Sequence, residues 1–291
     1  MPSNLVHRSN IEQKQNTPPE EYADKTSQSL LAEIRKEYDK WNKENSKLKG
    51  PFAEPTENDL EIIQKRVALF EDYKNFIDQK KYAEHFDSRS NLHSSVLEEF
   101  LFYLFRDLVG ELGGEQALIG KSHAFKDIFF IASNYKAMIE SPNVSIERKD
   151  HDFVIGVTIN AKFQTTKAET YSLDIPAIAI ECKTYLDKTM LESSSRAAEE
   201  LKAKNPNSLY LVVMEWLKLT DDVNLRKYKV DQIYVFRKQK NTDRKYRLRD
   251  GYDKKPLDPN VVIHLFNSVR NHLTTDWKGG IKDGLERGWL L

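Results

Sequence analysis

A strand that is apolar on both faces and ends in two charged residues is the feature that most constrains this chain. The segment is Ile175-Pro-Ala-Ile-Ala-Ile-Glu-Cys-Lys183. Side chains alternate between the two faces of a strand, so Glu181 and Lys183 share one face with small alanines, whereas isoleucines and Cys182 share the other. A buried charge is costly unless it is paired or bound to a metal. The strand end therefore predicts a metal site with an adjacent cation, and a surface ion pair is the alternative.

Composition sets the class of protein. The 291 residues, 31% charged and 39% hydrophobic, are enough for one large domain or a domain with an appendage. No stretch approaches the roughly 18 to 20 apolar residues of a membrane span, and the polar N-terminus lacks the hydrophobic region of a signal peptide. The single cysteine excludes an intrachain disulfide framework and a multi-cysteine zinc site. We therefore expect a cytoplasmic protein.

Three regions follow one another along the chain. Residues 1–25 are polar, contain Pro18-Pro19 and predict a flexible tail. Residues 26–90 carry two apolar stripes at helical spacing, separated by Gly50-Pro51, and predict a helical N-terminal region. Residues 91–291 contain the candidate site and predict the functional domain.

The third region mixes helical and strand patterns, which predicts an α/β fold. A helix over Ser94–Leu108 is followed by short strands, the central strand, a helix opened by a capping box of Thr189 and Glu192, and an apolar strand. The predicted strands around the central one are Asp127–Ala132, Val144–Arg148, Asp152–Asn160 and Leu209–Met214. Val261–Leu273 predicts an amphipathic helix that packs on the core.

Geometry selects Asp152 as the acid that joins the strand end. Asp174 lies seven residues before Glu181 in the same strand, roughly 23 Å away at about 3.3 Å per residue. Asp152 begins the preceding strand, and an antiparallel hairpin through the polar turn at residues 165–170 would place it beside Glu181 and Lys183. A solvated aspartate at the start of a strand is the alternative.

A fourth member is expected from the Ser94 helix. Glu98 lies within one turn of the core-facing Leu97 and Leu101, so its carboxylate could reach the sheet. Ser95 and Glu98 also fit a capping box, and Glu99 could equally be the functional residue. The choice between Glu98 and Glu99 stays open at this point.

Two or three carboxylates suit Mg²⁺, which prefers a few carboxylates together with water and substrate phosphate. Lys183 adds a fixed cation that can stabilise developing charge and help to orient or activate a water. The expected chemistry is hydrolysis of a phosphodiester.

These residues carry a family resemblance. Asp152 followed by Glu181-Cys182-Lys183, in the order helix, strands, helix and strand, resembles the PD-(D/E)xK nuclease superfamily over roughly residues 90–216. The phrase Ile178-Ala-Ile-Glu-Cys-Lys-Thr-Tyr-Leu-Asp187 is similar to Type II restriction endonucleases of the BbvCI-like group, whose members cut short, sometimes asymmetric sites with paired subunits. One departure is His151, which stands where the superfamily's name has proline.

The resemblance implies a restriction-endonuclease-like mixed sheet flanked by helices. It also implies metal ligation by Asp152, Glu181 and Glu98, and roles in catalysis for these three acids and for Lys183. The implied cofactor is Mg²⁺. The implied reaction is site-specific cleavage of double-stranded DNA that leaves 5′-phosphate and 3′-hydroxyl ends.

A basic segment at residues 226–250 is the candidate DNA-binding region. Although Lys plus Arg and Asp plus Glu balance at 45 each over the chain, ten basic residues against three acidic ones leave +7 in this segment. Such a patch suits phosphate contact, with a charged surface ribbon as the alternative. The predicted DNA-binding residues are Arg226, Lys227, Lys229, Arg237, Lys238, Arg244, Lys245, Arg247 and Arg249.

The predicted function is therefore a Mg²⁺-dependent Type II restriction endonuclease. A repair or junction-resolving nuclease of the same superfamily is one alternative, and a non-catalytic DNA-binding protein on the same fold is another. One Glu181–Lys183 centre cuts one strand, so a double-strand cut needs two chains or one chain acting twice. The resemblance favours a non-identical second subunit slightly over a homodimer.

Overall fold

The computed structural model describes residues 5–86, 91–241 and 251–277, together with residues 285, 286 and 288. The helices are α1 (Val6–Asn16), α2 (Lys25–Lys47), α3 (Asp59–Ile77), α4 (Lys80–His85), α5 (Leu92–Gly113), α6 (Tyr135–Glu140), α7 (Lys188–Lys204) and α8 (Pro259–Thr274). The strands are β1 (Ala117–Phe130), β2 (Val144–Gln164), β3 (Ala168–Leu186), β4 (Leu209–Leu217) and β5 (Gln232–Val235). None of the helices in these described ranges is long and apolar enough to cross a membrane.

The five strands form one mixed sheet in the order β1-β2-β3-β4-β5. The β1–β2 and β2–β3 pairs are antiparallel, whereas the β3–β4 and β4–β5 pairs are parallel. Helices flank this sheet, so the α/β prediction with a mixed sheet and a helical N-terminal region is confirmed.

The central strand β3 divides the core into two layers, as its alternation predicts. Ile178 and Ile180 are fully buried in the cluster that contains α5 and the N-terminal helices. Ala179 lies in the other cluster, with Leu191 and Ala198 of α7. Because the small side chain of Ala179 stands on the α7 face two residues before Glu181, the end of β3 keeps room for charged groups, whereas Ala177 packs against the first cluster.

The predicted β2–β3 hairpin is present, but its strands are longer than expected. The segments Val144–Arg148 and Asp152–Asn160, predicted as separate strands, are both part of β2. Likewise β1 starts ten residues before the predicted Asp127. A register shift between Ile155 and Gly156 lies opposite Pro176, whose missing N–H cannot bond to the neighbouring strand.

The outer ends of the two hairpins contact each other and form a projection that we call the arm, residues 125–148 and 158–174. Tyr171 donates a hydrogen bond to the carbonyl of Val144 over 2.9 Å, and Arg148 donates to the carbonyl of Ser172 over 2.6 Å. Residues 144 and 171 meet although Tyr171 pairs with Ala161 in the sheet. The 21-residue strand β2 therefore bends back on itself.

The prediction of a flexible tail over residues 1–25 is wrong for its described part. Residues 6–16 form helix α1, in which His7 and Ile11 are fully buried. The His7 ring bonds to Ser95 on one side and to Tyr73 on the other, at 2.9 and 2.6 Å. Composition concealed this helix because a few buried side chains anchor it while the rest of its surface is polar.

The N-terminal helices share one core with α5 and the sheet. Phe70 of α3 stacks on Phe100 of α5 with ring centroids 4.4 Å apart, and both belong to one buried cluster that reaches Phe236. The division at residue 90 between a helical region and a functional domain therefore stays a prediction about sequence organisation.

Two predicted helix ends differ in the structure. Helix α7 is capped by Asp187, whose side chain accepts from the Met190 backbone N–H, so the predicted capping box at Thr189 is wrong. Helix α5 starts at Leu92 and continues through Gly110 to Gly113. Helix α8 confirms the amphipathic prediction, because Val262, Leu265, Phe266 and Val269 are all buried.

Candidate active site

The end of β3 and the middle of β2 bring three charged side chains together. The Lys183 ammonium lies 2.6 Å from Glu181 Oε1 and 3.2 Å from Asp152 Oδ2. Asp152 Oδ2 also accepts the backbone N–H of Cys182 over 2.9 Å. Because β2 and β3 are antiparallel, Asp152 stands beside the end of β3, as the hairpin argument predicts.

This cluster is partly open to solvent. The side chains of Lys183, Asp152 and Glu181 are 27%, 26% and 21% exposed. Burial lowers the pKa of Lys183, but the carboxylates of Asp152 and Glu181 outweigh that effect and hold the pKa above its usual value. Lys183 is therefore an ammonium at neutral pH.

Glu98 lies on the side of α5 that faces this cluster. Burial, and then the negative charge of Asp152, raise the pKa of Glu98 to about 7. Its Oε2 is buried and accepts no hydrogen bond from any described residue. Helix α5 starts at Leu92, so Ser95 and Glu98 do not form a capping box.

The Glu99 side chain points away from this cluster and towards the N-terminal helices. It accepts hydrogen bonds from the Tyr38 hydroxyl at 2.7 Å and from the Arg8 backbone N–H at 3.0 Å. These partners belong to α2 and α1, so Glu99 links the N-terminal helices to α5. Of the two adjacent acids, the structure brings Glu98 towards the predicted site.

Sequence reasoning missed Tyr210, which borders Glu181. The Tyr210 hydroxyl is 3.5 Å from Glu181 Oε2, and the fully buried Tyr210 ring packs edge-on against His151 with centroids 5.8 Å apart. The apolar run Leu209–Met214 contained the only signal for Tyr210, because β4 lies beside β3 and alternation places this tyrosine on the Glu181 face.

The oxygen donors at the site are of the kind that Mg²⁺ prefers. Asp152 and Glu181 both present carboxylates to one partly open position, and two carboxylates with water and phosphate suffice for Mg²⁺. Among the residues that the structure describes, no three His, Cys, Asp or Glu side chains are grouped closely enough to hold a metal ion. A ligand set of Asp152, Glu181 and Glu98 is thus not assembled, and a role for Glu98 stays a prediction.

The predicted DNA-binding residues divide into three groups. Arg226, Lys227 and Lys229 are exposed, and Lys238 is 59% exposed beside Asp258. Four more lie outside the described residues: Arg244, Lys245, Arg247 and Arg249.

The prediction that Arg237 binds DNA is wrong. Its side chain is fully buried, 2.9 Å from Glu71 and 3.3 Å from Glu215. Two carboxylates from α3 and β4 hold the guanidinium inside the protein, so it cannot reach a phosphate. Counting charges along the sequence could not distinguish this arginine from its exposed neighbours.

The fold and this cluster define a protein of the restriction-endonuclease class. A solved structure described as the native BbvCI A2B2 tetramer at low resolution is similar to this chain, with a TM-score of 0.70 and 21% sequence identity. The alignment covers 94% of this chain and 98% of that chain. At this identity the similarity establishes the fold.

The family follows from the sequence match. Residues 89–290 match the family described as Bpu10I restriction endonuclease, and the chain belongs to this family. No curated protein sequence matches the chain. The recognition of a Type II restriction endonuclease from the sequence is confirmed.

Proposed function

We propose that this chain is a Mg²⁺-dependent subunit that hydrolyses DNA phosphodiester bonds at a specific site and leaves 5′-phosphate and 3′-hydroxyl ends. The observation that carries the proposal is the position of the Lys183 ammonium between the carboxylates of Asp152 and Glu181, at 3.2 and 2.6 Å. Membership of a restriction endonuclease family supports the choice of DNA as substrate.

Asp152 and Glu181 would hold the metal ion, with water and phosphate oxygens completing its coordination. Mg²⁺, when bound, supplies Lewis acidity and charge stabilisation at the phosphate. Lys183 is fully protonated and therefore acts as a cation that orients the attacking water and stabilises negative charge on the phosphate, not as a proton acceptor. Glu98, buried beside the pair, is the accessory acid.

Orientation of Glu181 comes from its neighbours. Burial, and then the charge of Glu181, raise the pKa of Tyr210, so the hydroxyl keeps its proton at neutral pH and can donate towards the carboxylate. The backbone N–H of Cys182 fixes Asp152 in the same way. These contacts hold both carboxylates towards one position before substrate binds, which is the arrangement that preorganised electrostatic catalysis needs.

The exposed residues Arg226, Lys227 and Lys229 are proposed to contact DNA phosphates, together with Lys238 and the four basic residues beyond the described part. A second chain is also proposed, because the described residues of this chain form one copy of the Asp152–Glu181–Lys183 cluster. BbvCI is described as an A2B2 tetramer, and this supports a non-identical partner that cuts the other strand.

Plasmid cleavage tests this function. Supercoiled DNA should be cut with Mg²⁺ or Mn²⁺, should be bound without turnover in Ca²⁺, and should stay intact in EDTA. Asp152→Asn, Glu181→Gln and Lys183→Ala should each lower the cleavage rate by about 100-fold or more, while DNA binding by the Lys183→Ala protein in Ca²⁺ survives. Ligation of the products by a ligase that requires 5′-phosphate would confirm the ends.

Lys65→Ala is the matched control, because Lys65 is an exposed lysine of α3 paired only with Glu61 on the same helix surface. It should cleave at the normal rate. Melting temperatures of all variants should match the unmodified chain. Full activity of any of the three site variants, or robust cleavage in EDTA, would refute the proposal.

A further inference from the structure

Strand β2 carries a bulge at Asp152, the proposed metal ligand. The register between β1 and β2 shifts between Gly120 and Ser122. At this shift two residues of β2, Asp152 and Phe153, stand opposite a single residue of β1, which is Lys121. A bulge of this kind bends its strand and re-aims a side chain, and bulges are over-represented next to active sites. Lys121 is therefore the residue of β1 that stands beside Asp152.

The neighbours of Lys121 fix the backbone of β1 at this point. Gly120, directly before it, has a φ of +115°, a conformation that glycine adopts readily and other residues rarely do. Ser122, directly after it, is buried and donates a hydrogen bond to Asp174 over 2.8 Å. The Lys121 side chain itself is exposed. The fold thus fixes where this lysine begins and leaves its ammonium open to solvent.

The positive charge of Lys121 acts on the active site. Burial and then Asp152 raise the pKa of Glu98, and against these effects Lys121 lowers this pKa more than Lys183 does. Because β1, β2 and β3 are neighbours in the sheet, the backbones at Lys121 and Lys183 are two strand spacings apart, about 10 Å. Asp152 therefore has a lysine on each of the two adjacent strands, Lys183 on β3 and Lys121 on β1.

Lys121 differs from the other basic residues of β1 in lacking an acidic partner. His123 pairs with Asp150, and the Lys126 ammonium lies 2.6 Å from Glu147. Among the residues that the structure describes, none forms an ion pair with Lys121. An exposed lysine is unremarkable by itself. This one is held opposite the bulge and acts on a buried carboxylate of the site, so its free charge faces the place where the substrate must lie.

We propose that Lys121 binds a phosphate of the cleaved DNA strand, next to the phosphate held by Asp152, Glu181 and Lys183. The contact rests on the proposed function, since it requires DNA at that cluster. The scissile phosphate would lie over β2 and β3, which carry the metal ligands, and Lys121 stands one strand further out. It therefore meets the next phosphate along the backbone, as a point charge. This contact orients the strand across the sheet, so Lys121 is a positioning residue.

Steady-state cleavage and DNA binding by Lys121→Ala test the proposal. The KM for DNA should rise about tenfold while kcat stays within about twofold, because the contact is made equally before and in the transition state. Lys183→Ala should instead lower kcat. In Ca²⁺, the slope of log affinity against log salt should fall by about 0.9 in Lys121→Ala. Lys121→Arg should keep the KM of the unmodified chain because it keeps the charge, and Lys121→Glu should raise KM further.

Uncharged phosphates in the DNA locate the contact. Once the cut position has been mapped, a methylphosphonate replaces each of the two phosphates that flank the scissile one. At one of these positions it should weaken binding by the unmodified chain in Ca²⁺ about tenfold and leave binding by Lys121→Ala unchanged, because both changes remove the same contact. Additive losses at both positions would overturn the proposal.

Lys162→Ala is the matched control, since Lys162 is an exposed lysine of β2 ten positions from Asp152; it should bind and cleave normally. Equal losses in this control, or a normal KM and salt slope in Lys121→Ala, would overturn the proposal. A lower kcat at unchanged KM would overturn it as well, because the effect would then act through Glu98. If Lys183→Ala still abolishes cleavage in those cases, the proposed function stands. A chain that binds DNA without cutting it would contradict the proposed function, and a reduced salt slope in Lys121→Ala would still support the phosphate contact.

Discussion

At the scale of single residues, Glu98 and Glu99 show how one step along a helix separates two roles. Successive residues of an α-helix point about 100° apart, so Glu98 faces the charged end of β3 while Glu99 faces α1 and α2. Burial is the main cause that raises the pKa of each to about 7. Glu99 differs from Glu98 in having Tyr38, Tyr103 and a backbone N–H as hydrogen-bond donors.

The raised pKa of Glu99 predicts that the stability of the protein falls as the pH rises. This pKa is about 7 in the folded protein against 4.5 for an ordinary glutamate side chain, so the folded state binds the proton more tightly than the unfolded state. This contribution is fully present below about pH 4.5 and is lost as the pH rises through 7. The Glu99→Gln variant has no carboxyl group at this position to ionise. As the pH rises from 5 to 8.5, the free energy of unfolding of the unmodified chain should therefore fall by up to about 3 kcal/mol more than that of the variant.

Denaturant unfolding at these two pH values measures the difference. Glu115→Gln is the control, because Glu115 is exposed beyond the end of α5, and it should leave the pH dependence unchanged. An identical pH dependence for Glu99→Gln and the unmodified chain would contradict a protonated, buried Glu99.

At the scale of elements, the β2–β3 hairpin aligns Asp152 with the end of β3, and its register depends on Gly156. A Cβ at this position would lie 2.2 Å from the carbonyl oxygen of Ile175 and 2.9 Å from Cα of Pro176. Both contacts are with backbone and cannot be relieved by a side-chain rotation. Only glycine permits the two strands to approach this closely beside the register shift.

Gly156→Ala is therefore expected to destabilise the protein by about 1–3 kcal/mol and to reduce cleavage, because the strand that carries Asp152 must move. Thermal melting and plasmid cleavage below the melting temperature measure the two effects. Gly110→Ala is the matched control, since a Cβ there meets nothing within 4 Å and alanine favours the helix interior by about 1 kcal/mol. Equal stability of the two variants would show that the hairpin tolerates a side chain at residue 156.

A second element contact is the buried ion network between α3 and the edge of the sheet. Lys74 lies 2.9 Å from Glu215, and Arg237 bridges Glu215 and Glu71. The Lys74 and Arg237 side chains are 1% and 0% exposed. Loss of one partner from such a network leaves an unpaired buried charge.

Arg237→Ala should cost about 3–5 kcal/mol of stability and leave the salt dependence of DNA binding unchanged. Arg226→Ala/Lys227→Ala should do the opposite, because both residues are exposed: stability stays the same, and the slope of log affinity against log salt falls by about 0.9 per lost phosphate contact. Unfolding curves and DNA binding at several salt concentrations separate the two classes. A flatter salt dependence in Arg237→Ala would contradict its burial, and an unchanged slope in the double variant would mean that these two residues are only surface charges.

At the scale of the whole molecule, the N-terminal helices, the sheet and α8 share one core, while the arm extends beyond it. The proposed catalytic cluster occurs once in the described part of the chain. A double-strand cut therefore needs a second cluster positioned across the duplex.

The purified chain alone should therefore convert supercoiled plasmid to nicked circles, with linear DNA formed only after a non-identical subunit is added. Gel electrophoresis over a time course distinguishes the products. Lys183→Ala in this chain should convert a double-strand cut by the complete enzyme into a nick in the other strand. Clean linear product from the chain alone, at low enzyme concentration, would exclude an obligatory second subunit.

The pattern of apolar and polar residues along the sequence was sufficient to predict those parts of the fold that neighbouring residues determine. The alternation of Ile178, Ala179 and Ile180 predicted a doubly buried strand, and the polar turn before β3 predicted the hairpin that brings Asp152 to Lys183. Pattern could not show that β2 is one bent strand, because the contact between residues 144 and 171 is invisible to a local window. It also missed α1, which a few buried side chains, His7 and Ile11 among them, anchor to the core.

The sequence by itself determined the α/β core, the β2–β3 hairpin, and the meeting of Asp152, Glu181 and Lys183, because period-two alternation and chain connectivity dictate all three; the mixed character of the sheet came from the family resemblance. Only the tertiary structure decided which of Glu98 and Glu99 faces the site, that Tyr210 borders Glu181, that Arg237 is buried and that the arm exposes large apolar side chains. Each of these depends on what packs against a side chain from a distant part of the chain. Burial and electrostatic environment are properties of that packing, and neither residue type nor spacing along the sequence records them.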